Sequence, residues 1–506
     1  MPLCGSTLGR TYTNKGLPYK KEALDPYFSQ FKEKHEKEFK LLLDTASFKA
    51  VRPLYKNVTH TVMKSDVEPR SPSGALFNRA FNDVKSYFCF LQGPFNFESF
   101  RINFDTSPGQ PFLKKKFRKK SDVRNSEEGM RILKDLIKRT DYLPLCTTND
   151  KNERLDSDEF FRVDQNNTSK VRMTYCPDFA FLIKQKMLYD NQNKKIIENC
   201  MTSWIKYGVS KEYGGFHRII KPLERFTLID MSDISGMDRD AFLKFVYEIR
   251  NAYLDTKDPF MIDIIAFVTK FTLNPIIILP NGDIVILQCG NISGQNNTTS
   301  DNSILHFLVL IFLFYRLLDR IGEKCTIANV FANAEYAIYS DDKIGGFNHK
   351  YFQISALEYR DIMIETYAQF GLKIKPKAVY IEEKEIGARI SEKFEFLGSR
   401  VGFDEKYNRY VPLPRLGQIS SSIVFGPVEN KRIPVPVQFQ RLIALYLLAF
   451  KTPLERSIYL YLSFFYEHED NLQFRVEFDD ALSKAQGENL QFDYAFHVFG
   501  VEGCSF

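Results

Sequence analysis

Through the middle of the chain, short apolar runs alternate with polar turns, and their spacing predicts most of the elements. Phe226–Asp230 reads as a short buried strand. Ala241–Ile249 carries apolar residues at helical spacing, with Asp238 placed to open that helix. Pro275–Leu287 predicts a hairpin, with Ile276–Leu279 and Ile284–Leu287 on either side of a tight Asn281-Gly282 turn. A polar loop, Gly290–Ser303, then leads into an apolar helix, Ile304–Leu318, interrupted by His306 and Arg316. That run is too short to span a bilayer and predicts a buried core helix. Next come a strand (Glu335–Tyr339), an acidic turn (Ser340-Asp341-Asp342) and a second strand (Lys343–Gly346). Residues 356–370 read as helix, 394–402 as strand, and Phe439–Leu448 and Ile458–Phe465 as helices. Upstream, 30–45 reads as one charged amphipathic helix. Residues 100–125 are turn-rich and end in the basic run Lys114–Lys120, and 147–170 are mostly polar. No repeat or low-complexity segment interrupts this order. Strand, helix, hairpin, loop and helix, strand–turn–strand, helix and strand make an α+β layer in which helices back a sheet.

Composition narrows the class. At 506 residues the chain allows about three lobes. Apolar residues at 44% and charged residues at 26% exclude a mostly disordered chain. The net charge of +6 permits a polyanionic partner without requiring one. Phenylalanine (46) and tyrosine (26) against a single Trp204 predict a large aromatic core. The eight cysteines are scattered with no CxxC pair, which argues against structural zinc and suits a reducing compartment. The first residues carry no apolar signal region, so no targeting segment is expected there.

The candidate chemistry begins with acids. An Asp-Asp pair alone means little: Asp479-Asp480 reads as solvated. Asp341-Asp342 differs because it sits in a tight turn between apolar strands, where adjacent carboxylates repel unless a divalent cation intervenes. A partner acid is needed, and Asp233 is the candidate, with Asp230 as a rival in the same stretch. Turn capping is the plainer reading of either, and helix capping that of Asp238. In Gly290–Ser303, small hydroxyl and amide side chains put Ser293, Thr298 and Asn302 in position to face a ribose, unless the segment is a plain surface loop. Lys170 and Arg172 flank Val171 on an expected strand and would share a face able to neutralise a triphosphate. Lys114–Lys120 suits a nucleic-acid backbone, or is simply a solvated loop.

Taken in order, these elements resemble the RNA-directed RNA polymerases of positive-strand RNA viruses. The likeness is to the picornavirus, calicivirus and astrovirus supergroup, with an astrovirus-like second loop, and runs over about residues 105–400. Asp105–Phe112 is similar to the template-guiding motif G, and Lys170-Val171-Arg172 to the core of motif F. The upstream half of motif F leaves Lys151, Arg154 and Arg162 open. Asp233 and Asp238 resemble motif A; Ser293-Gly294, Thr298 and Asn302 motif B; and Tyr339-Ser340-Asp341-Asp342 motif C. Gly371–Lys377 is similar to motif D and Phe394–Arg400 to the primer grip, motif E. Motif C departs from the family, with serine where most members have glycine. Serine is small enough for the same turn, so activity is expected to survive.

The resemblance implies a right hand with a palm of antiparallel sheet backed by helices. Fingers would be 1–225 with an insertion at about 245–285, palm 226–400, and a helical thumb 401–506. It implies two Mg²⁺ ions, with Mn²⁺ as a substitute, held by Asp233 and Asp341 with Asp342 assisting. Lys170 and Arg172 would offset triphosphate charge, and Asp238, Ser293, Thr298 and Asn302 would read the ribose. Lys377 or Lys375, with Lys373 as a competitor, would be the general acid. Thr106, Ser107, Gly109 and Gly294 would guide template, and Leu397 and Gly398 would hold primer. The implied partners are RNA template and primer, NTPs, a genome-linked protein primer and other viral replication proteins. No intrinsic membrane span is expected. The implied setting is the host cytoplasm, in replication complexes recruited to membranes by partners. The rival readings are a reverse transcriptase and a non-catalytic RNA-binding protein of polymerase fold.

Overall fold

The strand Leu228–Ser235, whose first three residues are fully buried, is the spine of the molecule. In the computed structural model, Leu228–Ser235 pairs antiparallel with Asp342–Phe347 on one side and Lys373–Glu383 on the other. Ala334–Tyr339 closes the four-stranded sheet at one edge. The structure describes residues 3–6, 24–46, 48–51, 72–97, 101–150, 153–156, 173–211, 214–235, 237, 242–279, 282–405, 407–426, 433–449 and 452–486.

One face of this sheet is covered by the Thr298–Arg320 helix, which also packs against Ala75–Tyr87 and Ala356–Gln369. Residues Ile304 to Ile311 are all fully buried, as expected of a helix that is apolar all round. By length and composition this helix is long enough to cross a membrane, yet 94% of its apolar window is buried inside the protein. Phe77, Phe307, Phe312, Phe314, Tyr336 and Phe370 meet in this core, so much of the aromatic content is packing. On the sheet's other face lie Phe216, Ile219, Leu223 and Phe394. The hairpin of Ile276–Ile278 and Asp283–Ile286 forms as the two apolar runs around Asn281-Gly282 predict. It joins a second sheet with Leu3–Ser6, Leu145–Asp150 and Met173–Cys176, pairing in parallel with Leu145–Thr147.

Several expectations are corrected. The segment 30–45 is two helices, Pro26–Lys34 and Glu36–Thr45, broken at His35. The break turns the chain so that Phe28 and Phe39 stack at 4.6 Å in one core. That core is shared with Leu416–Val424, Val435–Leu448, Glu455–Glu467 and Arg475–Gln486, so residues 24–45 pack with the C-terminal helices. A division at 400 also cuts a three-stranded sheet of Glu395–Phe396, Ser399–Asp404 and Arg409–Leu413; the helices begin only at Leu416. The stretch 394–402 is therefore a hairpin rather than one strand, turning at Leu397-Gly398. The helix expected from Ala241 runs Lys244–Asn251. The core helix begins at Thr298, six residues before its apolar run, because its polar first turn is buried in hydrogen bonds.

Candidate active site

Strand parity sorts the acids. Side chains alternate between faces, and directly paired residues share one. Asp342 lies opposite Asp233, whereas Lys343 lies opposite Ser232, on the same face as Asp230. Asp233 and Asp341 are exposed, while Asp230 is fully buried. Asp230 accepts hydrogen bonds from Tyr336 Oη (2.6 Å) and Tyr359 Oη (3.3 Å) and is paired with the Lys343 ammonium. It is thus a core anchor beneath the acidic turn, and the rival reading of it as a cation ligand falls. Burial pulls the Lys343 ammonium down, and Asp230 opposes that pull. Removing one partner strands a buried charge, so Lys343→Met is expected to lower the unfolding free energy by about 3–5 kcal/mol. Urea unfolding checks it; restoration of part of the loss by adding Asp230→Asn is expected, and an unchanged midpoint would contradict the account.

The other face carries the candidate cation site. Burial first, then the charges of Asp341, Asp233 and Glu395, push Asp342 up to about 7, against the pull of the Leu397 amide. That amide donates to Asp342 Oδ2 at 2.6 Å. Leu397 and Gly398 both have positive φ, 52° and 69°, as a two-residue hairpin turn of this kind requires. Leucine is an unusual choice there, and its bond to Asp342 helps to hold it. A cluster of carboxylate oxygen donors is chemically suited to Mg²⁺, which takes a few carboxylates and fills the rest with water and phosphate. Among the described residues no three carboxylate, imidazole or thiol groups form a ready-made ion cage.

The turn itself is tied to the core helix. Ser340 has φ 60°, a region that costs a non-glycine residue roughly 1–2 kcal/mol. Its amide donates to Ser303 Oγ at 2.9 Å, and its hydroxyl accepts from Asn302 Nδ2 at 3.0 Å. Its carbonyl lies 3.1 Å from His306 Nδ1, whose Nε2 lies 2.7 Å from Tyr367 Oη. Burial, with the Lys343 charge, pushes His306 down to about 3, so the ring is neutral. A carbonyl can only accept, so Nδ1 carries the proton and Nε2 accepts from the tyrosine. Asn302 Oδ1 accepts from Asn291 Nδ2 at 2.8 Å. Thr298 Oγ1 lies 3.1 Å from the Ile292 carbonyl and 3.2 Å from that of Gln295, and so closes the loop. Ser293 is half-buried in that loop.

The expected template residues converge on one backbone segment. Gly109 has φ 68°, and a Cβ there would meet the Pro177 carbonyl oxygen at 2.7 Å; at Gly294, φ 94°, it would meet that of Tyr175 at 2.0 Å. Both loops thus press close against the Tyr175–Asp178 backbone. Ser107 Oγ accepts from the Gly109 amide at 3.3 Å, and Thr106 Oγ1 accepts from the Lys120 ammonium at 2.6 Å. Lys120, in the basic run, is itself buried. Lys170, Arg172 and Asp238 lie outside the described residues. Lys377 belongs to the Lys373–Glu383 strand, at a register shift between Ile374 and Val379, but its side chain and that of Lys375 lie outside the description. Lys373 is exposed and pairs with Ser235.

Residues 94–421, well over half of the chain, match the sequence model of the viral RNA-dependent RNA polymerase family. The chain belongs to that family. It is similar to the non-structural polyprotein 1AB of Turkey astrovirus 2, at 25% identity over 56% of this chain and 17% of the polyprotein. The corresponding polyprotein of Human astrovirus-1 is 24% identical over 45% of the chain and 16% of its own length. For Mink astrovirus 1 the values are 24%, 49% and 18%. The matched region spans less than a fifth of each of these relatives.

Sequence reasoning missed the polymerase's buried polar supports. Arg250 and Asp301 form an ion pair at 2.6 Å with both side chains at 0% exposure. Arg250 also donates to Ser300 Oγ (2.7 Å), Asn193 Oδ1 (3.1 Å) and Gln192 Oε1 (3.2 Å), and Tyr247 Oη donates to Asp301 Oδ2 (2.9 Å). A usable signal existed. Arg250, Lys343 and His306 are polar residues that fall among apolar neighbours at core-facing positions, where an unpaired charge is costly.

Proposed function

We propose that this polymerase copies an RNA template by nucleotidyl transfer from NTPs to an RNA 3′-hydroxyl, with Asp233 and Asp341 as its cation ligands. The observation that carries the reading is the pairing of Asp233 with Asp342 across adjacent strands, beside Asp341 at the turn, with Asp233 and Asp341 exposed. Two Mg²⁺ ions, or Mn²⁺ in their place, would when bound lower the pKa of the attacking hydroxyl and neutralise the leaving pyrophosphate. Asp342, tied to Leu397, adds negative charge and holds the primer-grip hairpin against the turn. Lys170 and Arg172 offset triphosphate charge, and a motif D lysine, Lys377 or Lys375, delivers a proton to the pyrophosphate. Thr106, Ser107, Gly109 and Gly294 shape the template path, and Leu397 and Gly398 seat the primer end.

The reading extends to a right-hand layout, with the four-stranded sheet as palm, the 276–286 hairpin among the fingers and the C-terminal helices as thumb. It also covers replication of a positive-strand RNA genome in host cytoplasm, on membranes reached through other viral proteins. Initiation on a small genome-linked protein belongs to the same proposal.

Asp238, Ser293 and Asn302 read the ribose 2′-hydroxyl. A site built to bond that hydroxyl leaves buried polar groups unpaired when it is absent. Asn302→Asp or Asp238→Ala is therefore expected to lower the NTP-over-dNTP ratio of kcat/KM by about tenfold. Primer extension on an RNA template with each nucleotide set measures it. An unchanged ratio means the ribose contacts are wrong, and efficient DNA synthesis by the unaltered chain would favour a reverse transcriptase.

A further inference from the structure

Serine at position 340 is a costly choice. The residue occupies the left-handed region at φ 60°, where glycine would be relaxed. Strained residues persist where their surroundings over-determine them, and they concentrate at functional sites. Three hydrogen bonds hold this one. The amide bond to Ser303 Oγ and the carbonyl bond from His306 use backbone atoms, and a glycine would keep both. Only the third, from Asn302 Nδ2 to Ser340 Oγ, needs the serine side chain.

That third bond fixes a choice the asparagine cannot make alone. A carboxamide can flip, exchanging its donor and acceptor ends. The Ser340 hydroxyl engages the donor end at 3.0 Å, and Asn291 Nδ2 engages the acceptor end at 2.8 Å. Asn302 is 5% exposed, so each end meets a defined partner rather than bulk water. Asn291 alone fixes Oδ1 only while its own amide keeps its bond to the Thr298 carbonyl, at 3.1 Å. Ser340 adds a second, independent determinant from a different element, the turn that carries Asp341.

We propose that Ser340 is a specificity-determining residue: its hydroxyl orients the Asn302 carboxamide, so that reading of the sugar is coupled to the position of the catalytic turn. The inference rests on the reading of Asn302 as a ribose contact. The substrate class concerned is the ribonucleotide, recognised through its 2′-hydroxyl and set against the deoxyribonucleotide. Ser340 acts through Asn302 and is a positioning residue; it forms no bond to the reacting atoms.

The test is primer extension by the full chain, with kcat and KM measured separately for an NTP and the matching dNTP. Ser340→Gly and Ser340→Ala are each compared with Asn302→Ala and with the double variants. Both Ser340 variants are expected to lower the NTP-over-dNTP ratio of kcat/KM about fivefold, mainly by raising KM for the NTP. In the Asn302→Ala background the same changes are expected to leave the ratio where Asn302→Ala alone puts it, because the two act as a unit. A residue that merely shaped the turn would lower both nucleotides equally and leave the ratio alone. An altered ratio in Asn302→Ala with an unaltered one in both Ser340 variants overturns the inference and leaves the ribose reading standing. Fully additive effects overturn it too, as does loss of extension with both nucleotides in Ser340→Gly, which keeps both backbone bonds. If Asn302→Ala itself leaves the ratio unchanged, the ribose reading fails and the inference with it.

Discussion

Replacing Asp341 by alanine is expected to cut RNA extension by more than about a thousandfold while leaving the fold intact, since several kcal/mol of transition-state stabilisation pass through a cation ligand. The two halves of that expectation have separate grounds. Asp341 is exposed at the tip of a hairpin whose flanking strands pair without its side chain. The hairpin's supports are elsewhere, in the bonds of Ser340 to Ser303 and His306 and in the Lys343–Asp230 pair below. Its charge is one of those that push Asp342 upward, so removing it relieves repulsion in the cluster. Thermal unfolding should therefore show an unchanged or slightly higher midpoint. Primer-template extension with NTPs and Mg²⁺ reads the catalytic half, with chelation of the metal in the unaltered chain as the matching control. Near-normal extension by Asp341→Ala would remove Asp341 from the cation site.

The acidic turn was legible because its signals are local. Two apolar runs flank Ser340-Asp341-Asp342, and the Ile276–Leu287 hairpin announces itself in the same way, by apolar runs on either side of Asn281-Gly282. The choice between Asp230 and Asp233 could not be made from type or position along the strand. It follows from parity once the strand's partners are known, since three residues of separation place the two acids on opposite faces. Pairings between distant segments carried no comparable mark. Nothing in Leu145–Thr147 specifies a parallel partner in Ile276–Ile278, and nothing in Phe28 or Phe39 points to the helices beyond Leu416. The start of the core helix was misplaced for a different reason. Its first turn, Thr298 to Ser303, is polar like a loop, yet Ser300 to Ser303 are buried, because their partners are other buried polar groups rather than water. Hydrophobic patterning identifies burial of apolar residues and is blind to this kind.

The largest structural consequence of that blind spot is Arg250. Arg250→Met is expected to lower the unfolding free energy by about 3–5 kcal/mol, because it leaves the Asp301 carboxylate buried without its cation. Against a total of about 5–15 kcal/mol this is a large share. The guanidinium also satisfies Ser300, Asn193 and Gln192, so its loss strands several polar groups at once. The size of the deficit should depend on pH in a definite direction. Burial already pushes the Asp301 carboxyl up, with Arg250 and Tyr247 pulling against it. Without Arg250 the largest opposing pull is gone, so in the variant the carboxyl rises further above its unfolded value and takes up a proton. A group raised on folding stabilises fully below its unfolded pKa and loses that contribution as pH rises through the folded one. The deficit of Arg250→Met should therefore be smaller near pH 5 than near pH 8, and adding Asp301→Asn should remove most of that pH dependence. Urea unfolding at the two pH values measures it. A deficit independent of pH in Arg250→Met would mean that lost packing around the guanidinium, rather than an unpaired carboxylate, sets its size.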